Sequence, residues 1–258
     1  MAWSPRQVSF VSPPVLQPGV IRLPVPRYAP FWTFVLLGIN VLVWLLMTVA
    51  GGSTDPLILI KFGAKYNPLI IAGQYWRLLT ANFLHVGALH LAFNSYALLI
   101  FGPEVETRFG RLRFLIIYVL SGIGGTVLSF LGNTAISAGA SAAIFGLLGA
   151  TIAYFARYRQ EFGEGARRRL SNLAFVATYN LFWGFVQPGI DNLGHIGGLM
   201  TGLVLGWELC PRYRIVVGQL TGIARLVDRL PSRRIASSTF WVSTVLVLLA
   251  YLGVRVQT

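Results

Sequence analysis

The sequence predicts an all-α polytopic membrane protein, and three observations carry that prediction: the composition, the length of the uncharged runs, and where the basic residues fall. The 258 residues are 55% hydrophobic and only 11% charged, with a mean hydropathy of +0.66, whereas a soluble domain carries about a quarter charged residues. The deficit is gathered into stretches without Asp, Glu, Lys or Arg, near the ~20 residues that cross ~30 Å of hydrocarbon as a helix. A soluble secreted domain and a disordered chain are both excluded. The 21 Lys+Arg against 8 Asp+Glu, net +13, would point to nucleic acid in a soluble chain. A spanning protein concentrates base in cytoplasmic loops for topological reasons, so no nucleic-acid partner is expected. The single cysteine, Cys210, excludes an intramolecular disulfide and a cysteine-based metal cluster.

Residues 1–30 contain seven prolines with Arg6, Arg22 and Arg27, which suits an extended cytoplasmic tail. Phe31–Ala50 supplies twenty uncharged residues, long enough to remain as an uncleaved first span. Further apolar runs place spans at about 80–102, 112–131, 138–156, 170–186, 192–210 and 237–254, with Gly132-Asn133-Thr134 as the turn that divides the longest run. Residues 211–236 form a basic linker, and 237–258 the seventh span with a short tail. The segment 51–75 is the longest external loop, half-embedded through Leu57–Ile60.

Seven spans put the termini on opposite sides. With the N-terminus inside, 17 of the 21 basic residues are cytoplasmic and only Lys61, Lys65, Arg77 and Arg255 are external. That asymmetry predicts a cytoplasmic N-terminus and an external C-terminus. Topology alone accounts for the arginine clusters.

All three histidines, His85, His90 and His195, fall in predicted spans. Polar groups in hydrocarbon are costly and face the bundle interior or a wet cavity, so each is a functional candidate, with interhelical hydrogen bonding as the plainer reading. His90 and Asn94 are four residues apart and aim donors at one point, while His85 lies on another face. Ser141, expected about three residues inside the fourth span, is flanked by Gly139, Ala140, Ala142 and Ala143. His195 lies near the start of the sixth span, and both spans run from outside to inside. Ser141 and His195 are therefore expected at one depth near the external face. A neutral imidazole within reach activates a serine hydroxyl near pH 7. Asp191, the one acid near His195, sits before the helix, so a Ser–His dyad is more economical than a triad. His90, Asn94 and the Ser141 backbone N–H are candidate donors to the oxyanion of a tetrahedral intermediate.

These residues resemble the rhomboid family of intramembrane serine proteases over about 31–210: Trp76-Arg77, His85 with His90 and Asn94, Gly139-Ala140-Ser141, and His195 with Gly198 and Gly202. The resemblance implies a six-helix rhomboid-like core plus one C-terminal transmembrane helix (6+1). Ser141 matches the nucleophile and His195 the general base. His90 and Asn94 match the oxyanion donors, and His85 a structural histidine. Phe145 takes the place of a ring, often Tyr, that packs on the catalytic histidine. Gly198 and Gly202 match glycines that let span six approach span four, and Trp76-Arg77 a pair that holds the first loop. Two departures stand out: Ala142 follows the serine where Gly is common, and Gln74 occupies a place often held by Glu. The resemblance further implies single-span membrane-protein substrates, the lipid bilayer as surroundings, and no metal or organic cofactor. The absent presequence suggests a bacterial-type plasma membrane.

The expected activity is that of a serine endopeptidase cleaving transmembrane segments near the external face. A non-catalytic relative that binds membrane clients is the alternative, with Ala142 its one argument. A purely structural seven-span scaffold leaves the coincidence of Ser141, His195, His90 and Asn94 unexplained, and ion-ligand rows of a channel or transporter are absent from the sequence.

Overall fold

The structure is a computed structural model that describes residues 25–187, 189–217 and 223–258; the expected tail 1–30 lies largely outside them. The helices are α1 (Trp32–Val49), α2 (Pro56–Phe62), α3 (Asn67–Ile71), α4 (Arg77–Thr80), α5 (Gly87–Phe109), α6 (Arg111–Gly132), α7 (Ser141–Arg157), α8 (Arg159–Val186), α9 (Asn192–Glu208) and α10 (Ser232–Gln257). By length and apolarity α1, α6 and α10 are candidate spans, and α4 with α5 passes as a fourth if their bent pair is one crossing. α7 is apolar but shorter.

α7 packs most extensively on α9 and α9 on α6, so these three form the centre. Small residues make that closeness possible. A Cβ on Gly198 would collide with the Ala142 backbone, one on Gly202 with the Gly146 backbone, and one on Gly206 with Ala150. Helices associate this closely inside lipid chiefly by van der Waals contact, which small residues maximise. α1 is tied to this centre through Glu106 of α5, a fully buried carboxylate. Its oxygens accept the N–H groups of Phe31 at 2.9 Å, Trp32 at 2.8 Å and Thr33 at 2.9 Å. A negative charge thus satisfies the free donors of the α1 N-terminus, where the helix dipole favours it.

Several expectations need correction. The second span does not run unbroken from residue 80. α4 and a 3-10 turn at Ala81–Phe83 meet α5 at a 91° bend, because Leu84 is extended and Gly87 has φ +77°. His85 therefore sits in an elbow rather than inside a helix. α8 begins at Arg159, earlier than the apolar run at 170, and carries a non-helical Gly163. The chain is not wholly helical either. In the basic linker Tyr213–Val217 (β1) pairs antiparallel with Ala224–Asp228 (β2), Tyr213 opposite Asp228. β-Branched and apolar residues favour strand there, and Asp228 ion-pairs with Arg113 of α6. α10 starts at Ser232, inside the stretch read as linker. The segment 51–75 holds two short helices, α2 and α3, with Asp55 capping α2 through Leu57 N–H at 2.7 Å.

Candidate active site

Ser141 is the first residue of α7, not three residues inside it. His195 is the fourth residue of α9, whose N-cap is Asp191. The glycine seam holds the two helices side by side, and it brings His195 Nε2 to 2.9 Å from Ser141 Oγ. When Nε2 accepts the serine proton, the ring's own proton is on Nδ1, and Nδ1 has no hydrogen-bond partner among the described residues. Phe145, one turn along α7, stacks on the His195 ring at 4.4 Å between centroids and 8° between planes. That contact sets the ring plane. Both Ser141 and His195 are half-buried.

Asp191 does not reach the imidazole. Its Oδ1 accepts Gly194 N–H at 3.1 Å, and its Oδ2 accepts the hydroxyls of Ser137, at 2.6 Å, and Ser129. Burial pushes this carboxyl up, but the hydrogen bonds and the Lys65 charge outweigh it, and the group stays below the usual carboxylate range.

On the other side of Ser141, His90 Nδ1 accepts Val86 N–H at 3.2 Å. A neutral His90 accepting at Nδ1 carries its proton on Nε2, and that edge lies over Gly139. A Cβ built on Gly139 would fall 2.9 Å from His90 Nε2, and φ at Gly139 is +148°, so glycine is required there twice over. Asn94 is buried one turn after His90, and its Nδ2 donates to His90 O at 2.9 Å, leaving one N–H of the amide for another acceptor. The fully buried His85 packs edge-on against His90 at 5.4 Å.

Trp76 and Arg77 stand apart from this cluster. Arg77 is buried in the first loop, donating to Ile60 O at 2.7 Å, Ala64 O at 3.0 Å and Gln74 Oε1 at 2.8 Å. Trp76 lies half-exposed over its guanidinium at 4.7 Å. The loop is held by a neutral acceptor where a carboxylate would fit. Ala142 has helical surroundings and no positive φ, and its methyl lies against Gly125 of α6.

Glu106 and Lys65 escaped the sequence reading. Glu106 is the second of two acids, after Glu104, just past the end of an uncharged run. Lys65 looked like an ordinary loop lysine, but it is fully buried, and burial brings its amine down to about 8. Among the described residues no group of three His, Cys, Asp or Glu could hold a metal ion.

A helical membrane bundle with a serine and a histidine in hydrogen-bond contact at adjacent helix starts defines a class of integral membrane protein. A rhomboid domain matches residues 72–212, more than half of the chain, and the chain belongs to the rhomboid family. It is 44% identical over 173 residues to the rhomboid protease GluP of Bacillus subtilis, covering 67% of this chain and 34% of that protein. It is 37% identical over 183 residues to rhomboid-like protease 1 of Toxoplasma gondii, covering 67% and 62%. With RHOMBOID-like protein 9, chloroplastic, of Arabidopsis thaliana it shares 35% over 182 residues, covering 69% and 42%. The chain thus spans between about a third and three fifths of the length of these relatives.

Proposed function

We propose that this chain is an intramembrane serine endopeptidase in which Ser141 is the nucleophile and His195 the general base. The observation that carries the reading is the 2.9 Å Ser141–His195 contact with Phe145 stacked on the imidazole, in a chain whose relatives include proteins named as proteases. Ser141 Oγ attacks the scissile carbonyl carbon as its proton passes to His195 Nε2. The carbonyl oxygen becomes an oxyanion that takes hydrogen bonds from Ser141 N–H at the N-terminus of α7, the remaining Asn94 amide N–H and His90 Nε2–H. Collapse breaks the C–N bond, and His195 returns its proton to the departing amine. Water, deprotonated by the same imidazole, then releases the acyl group from Ser141.

Substrates in this reading are single-span membrane proteins, cut near the external face of a bacterial-type plasma membrane. The N-terminus is cytoplasmic and the C-terminus external, with a six-span core at 31–210, the linker 211–236, and a seventh span attached through it. The alternative is a relative that binds membrane clients without cleavage, for which Ala142 is the one argument; its helical position and the fit of its methyl against Gly125 favour the peptidase. The test is fluorophosphonate labelling of the detergent-solubilised protein. Label on the wild type, absent from both Ser141→Ala and His195→Ala, is expected. A folded wild type that stays unlabelled beside a labelled membrane serine protease would refute the peptidase and favour the client-binding protein.

A further inference from the structure

Four residues upstream of each member of the Ser141–His195 pair, the same two stretches of chain touch a second time. Ser137 Oγ donates to Asp191 Oδ2 at 2.6 Å; Ser137 precedes Ser141 by four positions, and Asp191 precedes His195 by four. The two contacts are successive rungs between one pair of segments.

Both ends of the outer rung are anchored. Asp191 is bound to the first turn of α9 through Gly194 N–H at 3.1 Å, and its carbonyl accepts His195 N–H at 3.1 Å. The last turn of α6 adds the Ser129 hydroxyl to Oδ2. On the other side Ser137 exchanges both backbone hydrogen bonds with Lys65, at 2.9 and 3.1 Å. The buried Lys65 side chain donates to the carbonyls of Asn133 and, at 2.9 Å, Ala135. Gly139 N–H is then held by Ala81 O at 2.9 Å. The segment leading into Ser141 has little slack.

The glycine seam between α7 and α9 fixes how close the helices lie, but van der Waals contacts of small residues are non-directional and permit sliding. A hydrogen bond to a carboxylate is directional, and charge-assisted bonds are the stronger kind. We propose that Asp191, working with Ser137 and Lys65, is a positioning residue that sets the register of the α9 start against the α7 start and so the Ser141–His195 distance. It does not act as a third member of a proton relay, because both of its oxygens are committed to Ser129, Ser137 and Gly194. This inference rests on the peptidase reading above and deepens it.

The experiment follows the rate of fluorophosphonate labelling against probe concentration in the full chain, which separates the maximal rate kinact from the apparent affinity KI. Ser137→Ala and Asp191→Asn should lower kinact about tenfold, with KI within about twofold, because reacting groups are misplaced and not removed. Ser137→Thr, which restores a hydroxyl, should recover the rate. Lys65→Met should lower kinact in the same sense, and combined with Ser137→Ala should cost less than the two separate losses multiplied. Ser137→Ala removes one hydroxyl from a half-buried loop residue and carries the test if Asp191→Asn does not fold. Wild-type kinact in both folded variants overturns the positioning role while leaving the peptidase standing. So does a reduced labelled fraction at unchanged kinact, which is the mark of a purely structural contact. A wild type that never labels sinks the peptidase reading and this inference with it.

Discussion

The glycine seam between α7 and α9 makes a strong quantitative prediction at Gly202. A methyl group built there lies 2.5 Å from the Gly146 carbonyl carbon and closer still to its oxygen and Cα, where ordinary contact begins near ~3.5 Å. The obstacle is backbone, which cannot rotate aside, so Gly202→Ala forces the helices apart by about 1 Å. Overpacking of this kind costs ~1–3 kcal/mol, and a rigid obstacle places it at the upper end. Alanine recovers up to ~1 kcal/mol through helix propensity, leaving a net loss of about 2 kcal/mol. The same displacement stretches the 2.9 Å Ser141–His195 contact beyond hydrogen-bond range, because Gly202 lies two turns along α9 from His195. A misplacement near ~1 Å is worth up to ~10²-fold in rate. Thermal unfolding in detergent and fluorophosphonate labelling should therefore both fall in Gly202→Ala. Gly38→Ala, in α1 with nothing within 4 Å of the added methyl, should leave labelling unchanged and raise stability by up to ~1 kcal/mol through helix propensity alone. An unaltered melting temperature and labelling rate in Gly202→Ala would refute the claim that the seam holds the pair together.

Two further outcomes are expected. Gln74→Glu places a carboxylate where Arg77 Nε now meets a neutral amide at 2.8 Å, converting that bond to a charge-assisted one; thermal stability should rise by about 1 kcal/mol, and an unchanged or lower melting temperature would count against Arg77 as the anchor of the first loop. For Lys65, burial lowers the folded amine to about 8 from 10.5, so between these values the unfolded chain holds the proton more tightly and stability rises with pH. Denaturation should show the wild type gaining stability from pH 8 to pH 10.5, and Lys65→Met should flatten that rise; a parallel profile in the two proteins would refute it.

Some of this architecture was legible because lipid imposes a one-dimensional rule. Uncharged runs of span length mark helices whatever the fold, and α1, α6 and α10 lie close to the expected segments. The elbow at His85 was not legible, since Leu78–Pro103 is free of charge throughout and the bend comes from a 3-10 turn and one glycine at positive φ. The hairpin was not legible, because Tyr213–Val217 shows no strict alternation of apolar and polar residues and Arg214 and Arg225 interrupt the two strands. In the candidate site, four-residue spacing put His90 beside Asn94 on one face, and the shared direction of the fourth and sixth spans put Ser141 level with His195. The roles of Asp191 and Lys65 were invisible, because residue spacing says nothing of which loop folds under which helix end.

By itself the sequence determined that the chain partitions into membrane, and it supplied the motifs that place it in the rhomboid family, because hydrophobic length and local spacing are properties of contiguous chain. Only the tertiary structure decided that Ser141 Oγ and His195 Nε2 lie 2.9 Å apart, that Phe145 stacks on the imidazole, and that Ser137 meets Asp191 one rung above. Those contacts join residues 50 or more positions apart. Their geometry comes from helices brought together by absent side chains at Gly198, Gly202 and Gly206, and that closeness exists only once both surfaces have met.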